Sequence, residues 1–184
     1  MVARLPLRGL LAALLVGVLA SVAGAQREPT VVGREALAMC RSVGTLPAEE
    51  RLARLDGALE LAEAAVRDDP NSALAYFAAF CNRGKRLQLN GFGFHAFGEV
   101  RRLRREIDRA LELAPDWPEA LAGKGAMLVA LPRLLGGDVD EGERLLRRAL
   151  TLDPTNVEAR IILKELENDA CAAGPMIAQV GFLQ

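Results

Sequence analysis

A twelve-residue phrase that occurs twice constrains this chain more than any other feature. Residues 109–120 read RALELAPDWPEA, residues 148–159 read RALTLDPTNVEA, and a weaker copy, AAVRDDPNSALA, covers residues 64–75. In each copy an Ala lies five positions before a Pro and another Ala lies five positions after it. Such internal repetition is typical of proteins in which each unit buries its apolar face against the next. The pattern therefore indicates a surface that binds something rather than a catalytic site.

The first 25 residues have the three regions of a secretion signal. Arg4 and Arg8 precede an apolar run, and the small residues AGA follow it just before Gln26. We predict that residues 1–25 are a signal peptide cleaved near Ala25, which makes the protein periplasmic or secreted. A retained membrane anchor is the alternative. Without the two arginines, 21 basic residues (23 − 2) oppose 24 acidic ones. That balance is too mild to suggest binding to nucleic acid or to a membrane surface.

The cysteines Cys40, Cys81 and Cys171 are far apart in sequence, so no metal-binding CxxC spacing exists. Because their number is odd, at least one thiol is unpaired or pairs with another molecule. We favour small core residues, since free cysteines are often buried. A single disulfide, with Cys171 as one candidate partner, is the alternative that an oxidising compartment permits.

The remaining sequence predicts an all-α protein. Apolar residues recur at spacings of three and four, and no useful stretch shows the alternation of a strand. Asp116, Asp138 and Thr155 are predicted helix caps, because each is followed three residues later by Glu. The predicted helices cover residues 34–43, 47–69, 74–87, 99–113, 116–131, 138–152 and 155–170. The predicted organisation is a leader with a short helix over residues 26–46, flexible at its start (26–33), a helical domain over 47–172, and an apolar tail over 173–184 that packs.

The register of these helices resembles the tetratricopeptide repeat, a 34-residue helix pair with a closing Pro. Gly125 lies ten positions after Pro115, where the family favours a small residue because a side chain would hold the two helices apart. Phe80, at the matching place after Pro70, departs from that pattern. The resemblance implies a right-handed α-solenoid of about three stacked antiparallel helix pairs.

The spacings between successive prolines are 45 (115 − 70) and 39 (154 − 115), so both units exceed the family's length. The excess falls between the two helices of a unit, at roughly residues 84–97 and 131–137. Sequence drift explains this as well as a binding edge does, since loops tolerate insertion but often carry function. The second insert, LPRLLGGD, resembles the exported repeat proteins of the TRAP-transporter-associated T-component group. That resemblance implies docking of a periplasmic solute-binding partner.

No nucleophile and base pair is visible, and His95 is the single histidine. We interpret it as a loop or helix-start residue, since a catalytic histidine needs partners. The chain is therefore predicted not to be an enzyme and to use no cofactor or metal. We predict an exported adaptor that binds another protein of the cell envelope, without nucleic acid and without stable membrane insertion after signal cleavage; its oligomeric state stays open. The alternative is a helical protein that binds a small apolar ligand between the two inserts.

The arginine run over residues 101–109 is either a docking patch for an acidic partner, to which Lys85 and Arg86 add if the fold brings them close, or a solvated helix face. The inner helix positions are apolar or small, so the expected groove would accept an apolar segment, of which the chain's own residues 176–183 are one candidate. Those inner positions are Phe77, Cys81, Ala122, Ala126 and Ile161. The candidate partner-binding residues are Phe77, Phe92, Phe94, His95, Arg101, Arg105, Leu131, Pro132, Leu134, Leu135, Gly136 and Gly137.

Overall fold

The computed structural model describes residues 29–91 and 96–172, and in these ranges the protein is all α-helical. Among these helices none is long and apolar enough to cross a membrane. Short 3-10 helices cover Val43–Thr45 and Arg133–Leu135. The α-helices are α1 (Pro29–Ser42), α2 (Ala48–Asp68), α3 (Ala73–Asn90), α4 (Ala96–Leu113), α5 (Pro118–Ala130), α6 (Val139–Leu152) and α7 (Val157–Ala172).

Two predicted loop regions are largely helical. α1 begins at Pro29, so the expected leader over residues 26–33 is helical from that residue onward. The first expected insert, residues 84–97, is mostly helix as well, because α3 continues through Gly84 to Asn90. Gly84 is buried in α3, where packing outweighs the poor helix propensity of glycine. Residues 92–95 and the tail 173–184 lie outside the described residues.

The repeated phrase forms the same turn three times. After α2 the backbone N–H of Asp69 donates to Ala65, that of Ser72 to Asp69, and that of Tyr76 to Ser72. Three equivalent bonds follow α4 and three follow α6. The alanines that flank the three prolines are all fully buried: Ala65, Ala75, Ala110, Ala120, Ala149 and Ala159. The spacing noticed in the sequence is therefore a packing requirement, since a larger side chain at these positions would have no room.

Of the three predicted helix caps, the one at Asp138 is confirmed. Its carboxylate accepts a hydrogen bond from the backbone N–H of Glu141 at 3.1 Å. The cap predicted at Thr155 was wrong by one residue, because Asn156 accepts from the N–H of Ala159 at 2.9 Å. Thr155 instead donates its hydroxyl to Asp153.

The cap predicted at Asp116 was also wrong. α5 begins one residue later than expected, with Trp117 at the cap position and Pro118 as the first helical residue. A proline there has no N–H to satisfy, which removes one of the donors that a side-chain cap would serve. The Asp116 carboxylate instead pairs with Arg148 of α6.

The predicted close approach of two helices at Gly125 is confirmed. A Cβ atom at Gly125 would lie 2.9 Å from the carbonyl oxygen of Gly142, and one at Gly142 would lie 2.9 Å from that of Gly125. α5 and α6 therefore touch backbone to backbone at this point. Phe80, the departure noted above, is fully buried, and its ring fills the space that the missing side chain of Gly123 leaves on α5.

α3 is the central helix, and its polar residues fasten α1. The amide of Asn82 donates to the carbonyl of Ala36 at 3.0 Å, and the ammonium group of Lys85 donates to that of Cys40 at 2.9 Å. Burial lowers the pKa of Lys85, and attraction from Glu158 opposes that shift. A cation at the C-terminal end of α1 also matches the partial negative charge of free helix carbonyls.

A disulfide joins Cys40 of α1 to Cys81 of α3, with the two Cα atoms 6.1 Å apart. Our preference for free core thiols was therefore wrong for these two residues. The signal that sequence reasoning lacked was spatial: the residues are 41 positions apart and only helix packing brings them together. Both cysteines are buried, so the bond lies within the core rather than at its surface.

The expected open groove is filled. Phe77, Cys81, Ala122 and Ala126 are all buried, and only Ile161 is exposed. The Phe77 ring packs against the Trp117 ring at a centroid distance of 4.7 Å. Since α1 packs against α3, the four buried positions belong to the core and line no free surface.

Replacing both bridged cysteines should cost much of the stability. A cross-link over 41 residues restricts the unfolded chain by about 4 kcal/mol. We therefore expect Cys40→Ala with Cys81→Ala to lower the free energy of unfolding in urea by roughly that amount. A reducing agent should lower the stability of the wild type and leave that of the double variant unchanged. If the reducing agent lowered the free energy of unfolding equally in the wild type and in the double variant, the disulfide would contribute nothing to stability.

Candidate functional site

Arg83 in the middle of α3 is a buried cation held by three carboxylates. Its side chain is only 3% exposed. The Nε atom donates to Glu106 at 2.9 Å, Nη1 donates to Glu99 at 3.0 Å, and Nη2 donates to Glu63 at 2.6 Å. Glu63 belongs to α2, whereas Glu99 and Glu106 lie two turns apart on α4. One guanidinium group therefore joins α2, α3 and α4.

Charge and burial act against each other in this cluster. Burial lowers the pKa of Arg83, but its hydrogen bonds and its attraction to Glu106, with the bonds to Glu99 and Glu63, raise it above the ordinary value. Burial raises the pKa of Glu106, and the attraction of Arg83 only partly offsets this while the neighbouring carboxylates add to it. The cation thus stays charged, whereas the raised pKa of Glu106 makes its carboxyl group easier to protonate than an ordinary glutamate.

The cluster forms the floor of a cleft of about 670 Å³ between α2, α3 and α4. Four arginines and four carboxylates line it together with Tyr76, so the lining is electrically balanced. The Nε, Nη1 and Nη2 atoms of Arg83 each donate a hydrogen bond to a carboxylate of the cluster. In the described residues no group of side chains could hold a metal ion. The buried part of the cleft is therefore a structural charge network, whereas Arg102 and Arg105 at its exposed side also belong to the outer face of α4.

The arginine run of α4 divides into three sets. Arg109 pairs with Glu112 at 3.0 Å, and Arg104 donates to the carbonyl oxygen of Gly136 at 2.7 Å. Arg101, Arg102 and Arg105 are exposed and have no ion pair with any described residue. The expected contribution of Lys85 and Arg86 to this patch was wrong. Lys85 is buried, and Arg86 pairs with Asp56 at 3.0 Å.

The LPRLLGGD loop has a fixed conformation. The N–H groups of Leu135 and Gly137 both donate to the carbonyl of Pro132, at 2.8 and 3.0 Å, and Asp138 donates to Leu128. Gly136 has a φ of +84°, a conformation that residues with a side chain rarely adopt. A Cβ atom at Gly137 would overlap the carbonyl oxygen of Leu131. Both glycines are therefore required by the backbone path.

This conformation turns one leucine outward. Leu131 is buried and Leu135 packs against the core, whereas Leu134 is 85% exposed. Pro132 is exposed as well. We call the surface formed by Pro132, Leu134, Arg101 and Arg105 the docking edge. The bond from Arg104 to Gly136 joins its two parts, the loop and α4.

The structure brings together only part of the predicted site. The docking edge contains four of the candidate residues, and Leu131, Leu135, Gly136 and Gly137 shape it from beneath. Phe77 lies in the core at 3% exposure, away from any surface that a partner could reach. Phe92, Phe94 and His95 lie outside the described residues, so the pocket expected between the two inserts stays a prediction.

Sequence reasoning missed the Arg83 cluster. Glu63, Arg83, Glu99 and Glu106 belong to three helices, and each looks like an ordinary surface charge in its own helix. The one available signal was the helical register of Arg83, which lies three and four residues after Phe80 and Ala79 and four before Leu87 and so stands beside apolar side chains on α3. A buried arginine requires acidic partners, so that position could have prompted a search for them.

Comparisons with protein-family models and with curated proteins find no match to this chain.

Removing the buried cation should be strongly destabilising. Arg83→Met leaves three carboxylates close together without their counter-ion, so we expect a loss of about 3–5 kcal/mol at pH 7. Arg83→Lys keeps the charge without the planar geometry and should lose less. Because the pKa of Glu106 is already raised in the folded state, losing Arg83 raises it further. A carboxyl group whose pKa is higher in the folded state than in the unfolded state increases the free energy of unfolding at low pH. This contribution is lost as the pH rises through the folded-state pKa. Chemical denaturation should therefore show a deficit that shrinks from pH 7 to pH 5, and a deficit independent of pH would contradict this account.

The loop can be tested with a matched pair of glycines. Gly137→Ala should unfold or rearrange the loop, because its Cβ atom would overlap a backbone oxygen. Gly57→Ala makes the same chemical change in α2, where nothing lies within 4 Å of the added atom. That control should stabilise the protein by about 0.5–1 kcal/mol through improved helix propensity. Denaturation curves that place both variants on the same side of the wild type would refute the assignment.

Proposed function

We propose that this protein is an exported helical adaptor that binds another protein through the docking edge and carries out no chemistry. The observation that carries the proposal is Leu134, a large apolar side chain that is 85% exposed on a loop of fixed conformation. Isolated leucines on surfaces are common, but this one stands on a loop of fixed conformation beside exposed arginines, a residue type that is enriched at the energetic centres of protein interfaces. Burying a leucine of this kind contributes about 1.5–3 kcal/mol.

The proposal includes a tetratricopeptide-like stack of about three helix pairs. Three identical turns with fully buried alanines support it, as does the close approach of Gly125 and Gly142. In such a stack the loops between the two helices of each pair lie along one edge. The bond from Arg104 of α4 to Gly136, in the loop between α5 and α6, fits this arrangement.

Export is part of the same proposal. The Cys40–Cys81 disulfide supports it, because such bonds persist in oxidising compartments and are rare in the cytosol. The proposed partner is a periplasmic solute-binding protein of a transporter. The similarity of the LPRLLGGD loop to the T-component proteins suggests that partner.

A photo-crosslinking residue at Pro132, introduced in the protein's own host, tests the proposal. We expect the irradiated cells to yield a covalent product that contains a solute-binding protein. Leu134→Asp should reduce this product about ten-fold or more, because it places a charge where an apolar contact forms. Val157→Asp is the matched control, since Val157 is 63% exposed on α7, and it should leave the product unchanged. Equal losses in both variants, or a product without any solute-binding protein, would overturn the proposal.

A further inference from the structure

The outer face of α4 shows which chemistry the docking edge would accept. We infer that it binds an acidic segment of the protein partner, whose carboxylates pair with Arg101, Arg102 and Arg105 while an apolar side chain contacts Leu134. This inference rests on the proposed function and adds the chemical nature of the partner to it.

On this face the carboxylates have ion-pair partners, whereas three of the arginines have none among the described residues. The two carboxylates of the outer face have partners, since Asp108 pairs with Lys124 at 2.6 Å and Glu112 pairs with Arg109 at 3.0 Å. Arg101, Arg102 and Arg105 have none among the described residues. The segment from Ala96 to Arg105 contains four arginines and a single acidic residue, Glu99, whose carboxylate points inward to Arg83. A local excess of positive charge therefore lies on a chain whose net charge is −1.

The arginines form a continuous band between the loop and the cleft. Successive residues of a helix are rotated by about 100°. Arg104, which contacts the loop, and Arg102, which lines the cleft, are then about 160° apart, and the outward side between them holds Arg101 and Arg105. Neighbours three or four positions apart on a helix lie about 5–6 Å from each other. A segment that crosses α4 from the loop could pair several carboxylates in succession.

The same face argues against a lipid surface as the partner. A helix that lies on a membrane needs a broad apolar face toward the lipid. Phe97, which is 52% exposed one turn before Arg101, is the exposed apolar side chain among the positions of α4 whose burial is described. From Gly98 to Leu113 every exposed position carries a charged side chain or is Gly98 itself, so the apolar part of this face is too small for a lipid surface. The outward guanidinium groups are suited instead to discrete carboxylates, which they can bind through two parallel hydrogen bonds.

Fluorescence anisotropy with a labelled twelve-residue peptide tests this inference. The peptide alternates Glu and Ser around one central Leu, and a second peptide has Gln in place of every Glu. The wild type should bind the acidic peptide at least about ten-fold more tightly, and binding should weaken as the salt concentration rises. Arg101→Glu with Arg105→Glu should reduce the affinity about ten-fold or more. Arg54→Glu with Lys164→Glu changes the net charge equally at exposed positions outside the edge, and it should have an effect below about two-fold.

Three results would overturn the inference. They are equal affinity for the two peptides, equal losses in the two double variants, and sensitivity to Arg101→Glu with Arg105→Glu only in binding to vesicles of anionic lipid. The last result would assign the edge to a membrane. If the crosslink from Pro132 still depends on Leu134, any of these results contradicts binding of an acidic segment but remains consistent with the proposed adaptor function. Loss of that dependence together with retained peptide binding would remove the adaptor function alone.

Discussion

The fold depends on how α3 is held, and above all on the bonds of Arg83. A guanidinium group that is taken out of water must regain its lost hydration through fixed partners. Glu63, Glu99 and Glu106 supply them, and so the relative positions of α2, α3 and α4 are tied to the geometry of one side chain. Burial raises the pKa of Glu106, Arg83 opposes that shift, and the two neighbouring carboxylates add to it. Apolar packing would tolerate small shifts between these helices, whereas directed bonds to three carboxylates do not.

The opposite side of α3 is fastened by different means. Cys81, Asn82 and Lys85 connect it to α1 through a disulfide and two bonds to backbone carbonyls. Four residues within five positions of one helix thus attach it to three neighbours. α1 also reaches α5, because Arg41 pairs with Glu119 through both carboxylate oxygens at 2.5 and 2.6 Å. These bonds explain why the inner positions are core: α1 occupies the space that an open groove would require.

Local patterns in the sequence predicted what depends on local structure. The helices over residues 47–69, 99–113 and 138–152, the cap at Asp138 and the small residue at Gly125 all follow from spacing along the chain. The filled groove and the disulfide could not be predicted from such spacing. Both depend on where α1 packs, and no periodicity encodes the partner of an amphipathic helix. The Arg83 cluster was missed for the same reason. The LPRLLGGD loop is an intermediate case: the sequence indicated an insert at residues 131–137, but only the structure shows that Leu134 points outward while Leu135 packs inward.

Different faces of α4 contribute to the core and to the docking edge. Its apolar stripe packs in the core and its inward carboxylates bind Arg83, so the outward arginines are not needed to hold the helix in place. Arg104 is the exception, since its bond to Gly136 fixes the loop relative to the helix. Binding costs less conformational entropy when the contacting groups are already positioned. A partner that meets this edge finds the Leu134 backbone fixed and the helix beneath Arg101 and Arg105 fixed, and only the arginine side chains remain to be ordered.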